Sequence, residues 1–221
     1  MTSPIDLEHV HAIELPTPFP VGPITVFLTD FPGEPLTLVD TGPRTPETRA
    51  TLSGQLEAYG YSPEDLGRII VTHAHVDHFG LAGELASASD AQVLTHKWNI
   101  PCLAEYDTDR EKRIRFYSQL LRWASVPGDI GQAVRQVIRH MDRYAGPVQV
   151  DASLSDEQTV VLAGREWCVL HTPGHSAGLV CLYEPSSQVL LSSDHLLADI
   201  SSNPVVEPPP PGHDCRLRSL V

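Results

Sequence analysis

Hydrophobic and polar positions along the chain change period in a regular order, and that order predicts strands alternating with helices. Short apolar runs rich in β-branched residues at 9–15, 24–29, 36–39, 68–71 and 92–95 predict strands in the first half. Runs at 158–162, 167–170, 179–183 and 188–191 do so in the second. Phe31-Pro32-Gly33-Glu34 and Pro185-Ser186-Ser187 each break a pair of runs as a hairpin turn would. Thr45-Pro46-Glu47 supplies an N-cap, a proline at the first helical position and an early acid, so a helix is expected from there to about Tyr59. Ser62-Pro63-Glu64-Asp65 repeats that signal for one turn, and another helix is expected to open at Gly80 and reach about Ser87. Pro16, Pro18, Pro20 and Pro23 lack donors and fix φ, which forces an extended loop after the first strand.

Residues 100–147 depart from this rhythm. Ile114, Tyr117, Leu121 and Ala124 share one helical face, and Ile130, Val134, Val137, Ile138, Met141 and Tyr144 form a second stripe beyond Ser125-Val126-Pro127-Gly128. The pattern predicts an inserted αα-hairpin, longer than a simple connection needs. Its stripes are expected to pack on the parent domain, and its bulk to roof one rim of a site. Beyond residue 195 the pattern fades, and Pro208-Pro209-Pro210-Pro211 reads as extended, linker-like chain.

The 221 residues suit one domain, 1–221, with an elaboration. A formal net charge of −13 argues against a nucleic-acid partner, because the overall field repels a phosphate backbone. The sequence shows neither a basic, apolar leader nor a spanning segment, so no membrane association is expected and the cytoplasm is the expected compartment. Cys102, Cys168, Cys181 and Cys215 have no paired spacing and read as free thiols, with Cys168 and Cys181 in the core.

The chemistry concentrates in Thr72-His73-Ala74-His75-Val76-Asp77-His78-Phe79-Gly80, directly after the predicted strand 68–71. Three imidazoles and a carboxylate within six positions are costly to bury unpaired, and a metal ion turns each lone pair into a bond. Two further candidates again follow strand-like runs: His175 in His171-Thr172-Pro173-Gly174-His175, and Asp194 in Ser192-Ser193-Asp194-His195. His9 and His11 have no partner motif and read as edge residues, and His96 at a strand end reads as structural.

These motifs, with Val39-Asp40-Thr41-Gly42 ahead of them, resemble the metallo-β-lactamase superfamily in order and spacing from about Ile24 to His195. The resemblance implies an α/β fold, an αββα sandwich, here with the helical insertion and a C-terminally truncated end. It implies that His73, His75 and His175 hold a first metal, Asp77 and His78 a second, and that Asp194 bridges them. Zinc is the expected ion, one or two per chain, with iron or manganese as alternatives. Asp40 is expected beneath the site, orienting the histidine loop, Phe19 is a candidate for substrate contact, and His195 is a candidate either for substrate contact or for supporting the ligands from behind. Asp77 and His195 are the candidate catalytic side chains, Asp77 by orienting the attacking water or passing a proton to the leaving group.

Relatives of this kind usually continue through a helix and strand to a Gly-His-Gly segment that completes the second metal. Gly212-His213 comes too early for that role, and 215–221 reads as the start of the helix. The second metal is therefore expected to be held less completely than the first. The implied function is hydrolysis of an ester, thioester, lactone or amide by a metal-bound hydroxide, hydroxyacylglutathione-hydrolase-like as first choice. The substrate would be a small molecule, and a homodimer is compatible with the sequence. Alternatives are a mononuclear iron sulfur dioxygenase, or a metal-binding form inactive through truncation. Glutamate at the position of His75 would have marked the flavodiiron branch.

Overall fold

Ile69, Ile70 and Val71 are consecutive and all fully buried, which a strand achieves only when both of its faces are covered. In the computed structural model, which describes residues 7–198, 200–203 and 205–209, they belong to β4 (Arg68–Val71). This strand lies inside a six-stranded sheet ordered β1 (Val10–Leu15), β2 (Ile24–Thr29), β3 (Thr37–Val39), β4, β5 (Gln92–His96) and β6 (Ala152–Leu154). The pairs β1–β2 and β2–β3 are antiparallel, and the pairs from β3 to β6 are parallel. A second, antiparallel sheet runs in spatial order β10 (Val189–Leu191), β9 (Val180–Glu184), β8 (Arg165–His171) and β7 (Thr159–Leu162).

The period-two alternation sorts the core into two layers. Leu38, Ile69, Val71 and Val93 pack with Leu52 and Leu56 of α1 (Pro46–Ala58) and Leu85 of α3 (Ala82–Ser89). Their neighbours Val39 and Ile70 turn the other way, onto Trp167, Val169, Val180 and Leu182 of the second sheet. No helical residue joins that inter-sheet cluster, so the layers run helix, sheet, sheet, three of the four layers of an αββα sandwich. α1 starts where expected: Thr45 caps the Thr48 amide at 3.0 Å, with proline in the first turn.

Several elements differ from the sequence reading. The metal motif itself becomes helical, because α2 (Val76–Phe79) begins inside it with His75 as the residue before its first turn. Strand β6 has only three residues, too short for a periodicity signal, and exists through its parallel pairing with β5. The insertion holds α4 (Ile100–Ala104), α5 (Tyr106–Trp123) and α6 (Gly128–Met141). Only its root packs on the domain: Tyr106 and Ile114 are buried, while Ile130, Val137 and Trp123 are 49, 59 and 85% exposed. The expected packing of the α6 stripe therefore fails along its outer half, where the hairpin runs beyond the sheet.

An ion-pair set fixes the root instead: Arg113 Nε meets Asp109 at 2.9 Å, and Arg113 Nη2 and Arg110 Nε meet Asp142 at 3.4 and 3.7 Å. Cys181 is buried as expected, but Cys168 points away from the Trp167 face and is only half-buried. Phe19 packs edge-on against Tyr144 at 5.1 Å, which ties the proline loop to the hairpin. His9, at φ 66°, precedes the first strand rather than joining it, and shares Asp30 with His11. Cys215, Gly212-His213 and the helix expected over 215–221 lie outside the described residues.

Candidate metal centre

Strand ends supply every element of the site. Asp40 follows β3, the His73–His78 motif follows β4, His175 lies in the loop after β8, and Asp194 follows β10. Loops at the carboxyl ends of neighbouring parallel strands converge on one crevice, which is why ligands bind there in open α/β sheets. Tight backbone contacts fix this convergence. The Thr41 amide donates to the His78 carbonyl at 2.7 Å, and the Leu81 amide to the Gly42 carbonyl at 3.1 Å. Gly80 is surrounded by the Tyr144 and Val76 carbonyls and the Arg44 amide, all closer than any Cβ tolerates, so no larger residue fits there.

Three ring nitrogens meet at one point. His75 Nδ1 lies 3.0 Å from His73 Nε2 and 2.8 Å from His175 Nε2. A second group joins His73, His78 and Asp194. Asp194 reaches both groups, its Oδ2 3.2 Å from His175 Nε2 and its Oδ1 3.3 Å from His78 Nε2. Asp77 stands farther off, with Oδ2 4.0 Å from His78 Nε2.

Asp40 controls which nitrogens are free. It sits at φ 61°, a conformation that aspartate tolerates better than most residues. Its Oδ1 accepts the Thr72 amide at 2.8 Å, and its Oδ2 accepts the Thr72 hydroxyl at 2.7 Å and His78 Nδ1 at 2.8 Å. The Thr72 hydroxyl, having given its proton to Asp40, accepts from His73 Nδ1 at 3.1 Å. His73 is thereby held with Nδ1 protonated and Nε2 as a lone pair aimed into the site, and on His78 the proton fixed at Nδ1 leaves Nε2 as the nitrogen that faces the metal position.

Burial, reinforced by the neighbouring imidazoles, holds His73 well below the usual histidine range. Burial likewise lowers His175, with His75 adding to the effect. Burial opposes charge on His78 as well, but Asp40 and Asp194 outweigh it and raise its pKa well above the ordinary value. A divalent ion satisfies this arrangement. The buried His78 Nε2 makes no hydrogen bond among the described residues although it faces two carboxylates, and an ion there replaces a proton as the bridge between them.

Of the site residues expected from the sequence, His73, His75, His78, His175 and Asp194 come together, while Asp77 stands 4.0 Å from His78 and His195 stays apart. The His195 imidazole joins neither donor group, and no hydrogen bond or ion pair engages it among the described residues. His96 is buried and stacked on His171 with ring centroids 4.0 Å apart, a structural role as expected.

Sequence reasoning missed Asn99, whose amide donates to the Gly178 carbonyl and Thr95 Oγ1, each at 2.9 Å, tying the His175 loop to the end of β5. It also missed Glu207, whose Oε1 lies 3.6 Å from His75 Nε2. A lone acid beside a proline run carries no motif that could have marked it.

The family model described as the metallo-beta-lactamase superfamily matches residues 19–220. The chain belongs to the metallo-beta-lactamase superfamily. Within it, the chain is 36% identical over 215 residues to "Probable metallo-hydrolase YqjP" of Bacillus subtilis (strain 168), covering 97% of this chain and 65% of that protein. It is 28% identical over 125 residues to "Acyl-coenzyme A thioesterase MBLAC2" of Homo sapiens, covering 57% of this chain and 39% of the relative. Among solved structures, a metallo-beta-lactamase family protein from Thermus thermophilus superposes with a TM-score of 0.70 at 27% identity, over 90% of this chain and 63% of the other. The subclass B3 enzyme BJP-1 of Bradyrhizobium japonicum shares the fold at a TM-score of 0.55 and 22% identity, over 80% of this chain and 54% of the other. Among the described residues no helix is long and apolar enough to cross a membrane.

Proposed function

We propose that this chain carries the metal centre of a hydrolase that cleaves a thioester, with His73, His75 and His175 holding a first divalent ion and Asp77, His78 and Asp194 a second. The observation that carries the reading is the placement of Asp194, whose two oxygens face the two donor groups separately. Zinc fits the nitrogen-rich first group. When bound, such ions act as Lewis acids and make water nucleophilic near neutral pH.

The chain's own residues do the rest. Asp40 fixes the Nδ1–H tautomers of His73, through Thr72, and of His78. Asp77 is half-buried beside His78, where its carboxylate can take a proton from the attacking water and return it to the departing thiolate. A recess beside Ala74 and Ser176, bordered by Trp98, Cys102, Lys112 and Arg113, offers space for the substrate against the root of the α5–α6 hairpin. Thioester is favoured over other acyl bonds by likeness to the acyl-coenzyme A thioesterase and by the Thr-Pro-Gly-His loop.

The test is a panel of S-acyl glutathione, acyl-coenzyme A, lactone and phosphodiester substrates with zinc-loaded chain. We expect turnover of thioesters and its loss in His75→Ala. Turnover of phosphodiesters alone, or of thioesters undiminished in His75→Ala, contradicts the reading.

A further inference from the structure

The segment after the Asp194 turn reads in the sequence as a linker, yet it holds the outer side of the first donor group. Ser202 Oγ donates to the Asp194 carbonyl at 2.5 Å. The Asn203 carbonyl accepts His175 Nδ1 at 2.9 Å, which leaves Nε2 of that ring for the metal. Glu207 completes the pattern. Its Oε2 accepts the Ala177 amide at 2.7 Å and the Ser176 hydroxyl at 3.3 Å. Those two contacts anchor the carboxylate independently of any histidine and aim its other oxygen, Oε1, at His75 Nε2, 3.6 Å away.

His75 differs from its two partners in offering Nδ1 rather than Nε2 to the group. Its outer nitrogen is therefore Nε2, and the neutral ring is a ligand only while the proton sits there. The Glu207 side chain is only 23% exposed, and a largely buried carboxylate is stable only where donors meet it. A proton on His75 Nε2 meets that need, while a bare nitrogen would set lone pair against anion.

We propose that Glu207 is a positioning residue for the first metal, its carboxylate keeping the proton of His75 on Nε2 so that Nδ1 is presented as the ligand. The inference rests on the metal reading above. It makes Asn203 and Glu207 part of the centre, since the outer nitrogens of His175 and His75 face them.

The test is zinc affinity, measured by competition with a chromophoric chelator, on wild type, Glu207→Ala, Glu207→Gln and Glu57→Ala. Glu57 is exposed on α1 and belongs to neither donor group, and it serves as the control. The glutamine variant keeps the shape, but its single oxygen cannot serve both the Ala177 amide and His75. We expect zinc affinity to fall about 10–100-fold in both Glu207 variants, the usual cost of removing an outer partner of a ligating histidine, and to stay unchanged in Glu57→Ala. We also expect long-range ¹H–¹⁵N spectra of the metal-free protein to show His75 protonated at Nε2 in wild type and at Nδ1 in Glu207→Gln. Wild-type zinc affinity and an unchanged tautomer in Glu207→Gln overturn the proposal alone. A wild-type chain that takes up no zinc overturns the metal reading with it.

Discussion

Replacing Asp40 by Asn tests whether one buried carboxylate organises the histidine loop. Asn tolerates the left-handed backbone at this position, so the change isolates charge and hydrogen bonding. Asp40 accepts three hydrogen bonds, two at Oδ2 and one at Oδ1. An amide has one oxygen, so its NH2 must face a donor. With the oxygen in the Oδ2 place, the buried Thr72 N–H is left unsatisfied, at about 1–3 kcal/mol. The two remaining bonds lose their ionic character, at about 1 kcal/mol each. The sum, about 3–5 kcal/mol, is a large part of the roughly 5–15 kcal/mol that holds a typical domain folded.

For a chain of this size such a loss lowers the thermal midpoint by roughly 6–20 °C. The alternative flip leaves the His78 ring facing an NH2 and drives its proton to Nε2, the nitrogen the metal needs. In either orientation zinc affinity should fall, by about 10–100-fold. Thermal melting of the metal-free protein and chelator competition read the two effects separately. A midpoint within about 2 °C of wild type, together with unchanged zinc affinity, would refute the assignment of Asp40 as organiser of the loop.

Other changes probe the frame. His96 is pushed down to about 4 by burial, with His171 next in weight, so the folded state holds it neutral where the unfolded chain binds a proton. Its contribution to stability is present above pH 6.5 and is lost as pH falls from there to about 4. Urea midpoints of wild type should therefore drop over that window more steeply than those of His96→Phe, and parallel curves would contradict this. Trp167 is fully buried between the sheets and donates its indole N–H to the Leu162 carbonyl, so Trp167→Ala should cost about 3–5 kcal/mol in urea unfolding. A Cβ at residue 178 would overlap the Asn99 side chain, so Gly178→Ala should displace the His175 loop and weaken zinc binding in the same chelator competition.

The sequence made the site legible because its ligands are clustered at strand ends, and the Asp40 turn because its motif is local. Strand faces followed from alternation, as Ile69 and Ile70 show by entering different clusters. What the sequence hid depends on tertiary contact. The α6 stripe has the amphipathic period of a packed helix, but periodicity cannot say how far the neighbouring sheet extends. The turn at 76–79 is helical through its anchoring to Asp40 and Thr41, with no cap of its own. Glu207 acquires its place only through contact with His75, Ser176 and Ala177, residues far away in the chain.

The proposed metal centre sets Asp194 between two metal positions, the first held by His73 Nε2, His75 Nδ1 and His175 Nε2. Anomalous diffraction at the zinc edge from crystals of the zinc-loaded protein tests it most directly. A strong peak is expected at the meeting point of those three nitrogens, roughly 2 Å from each. Any second peak should lie between His78, Asp77 and the other oxygen of Asp194, about 3.5–4 Å from the first. A dominant peak away from His73, or ligation of His75 through Nε2, would contradict it.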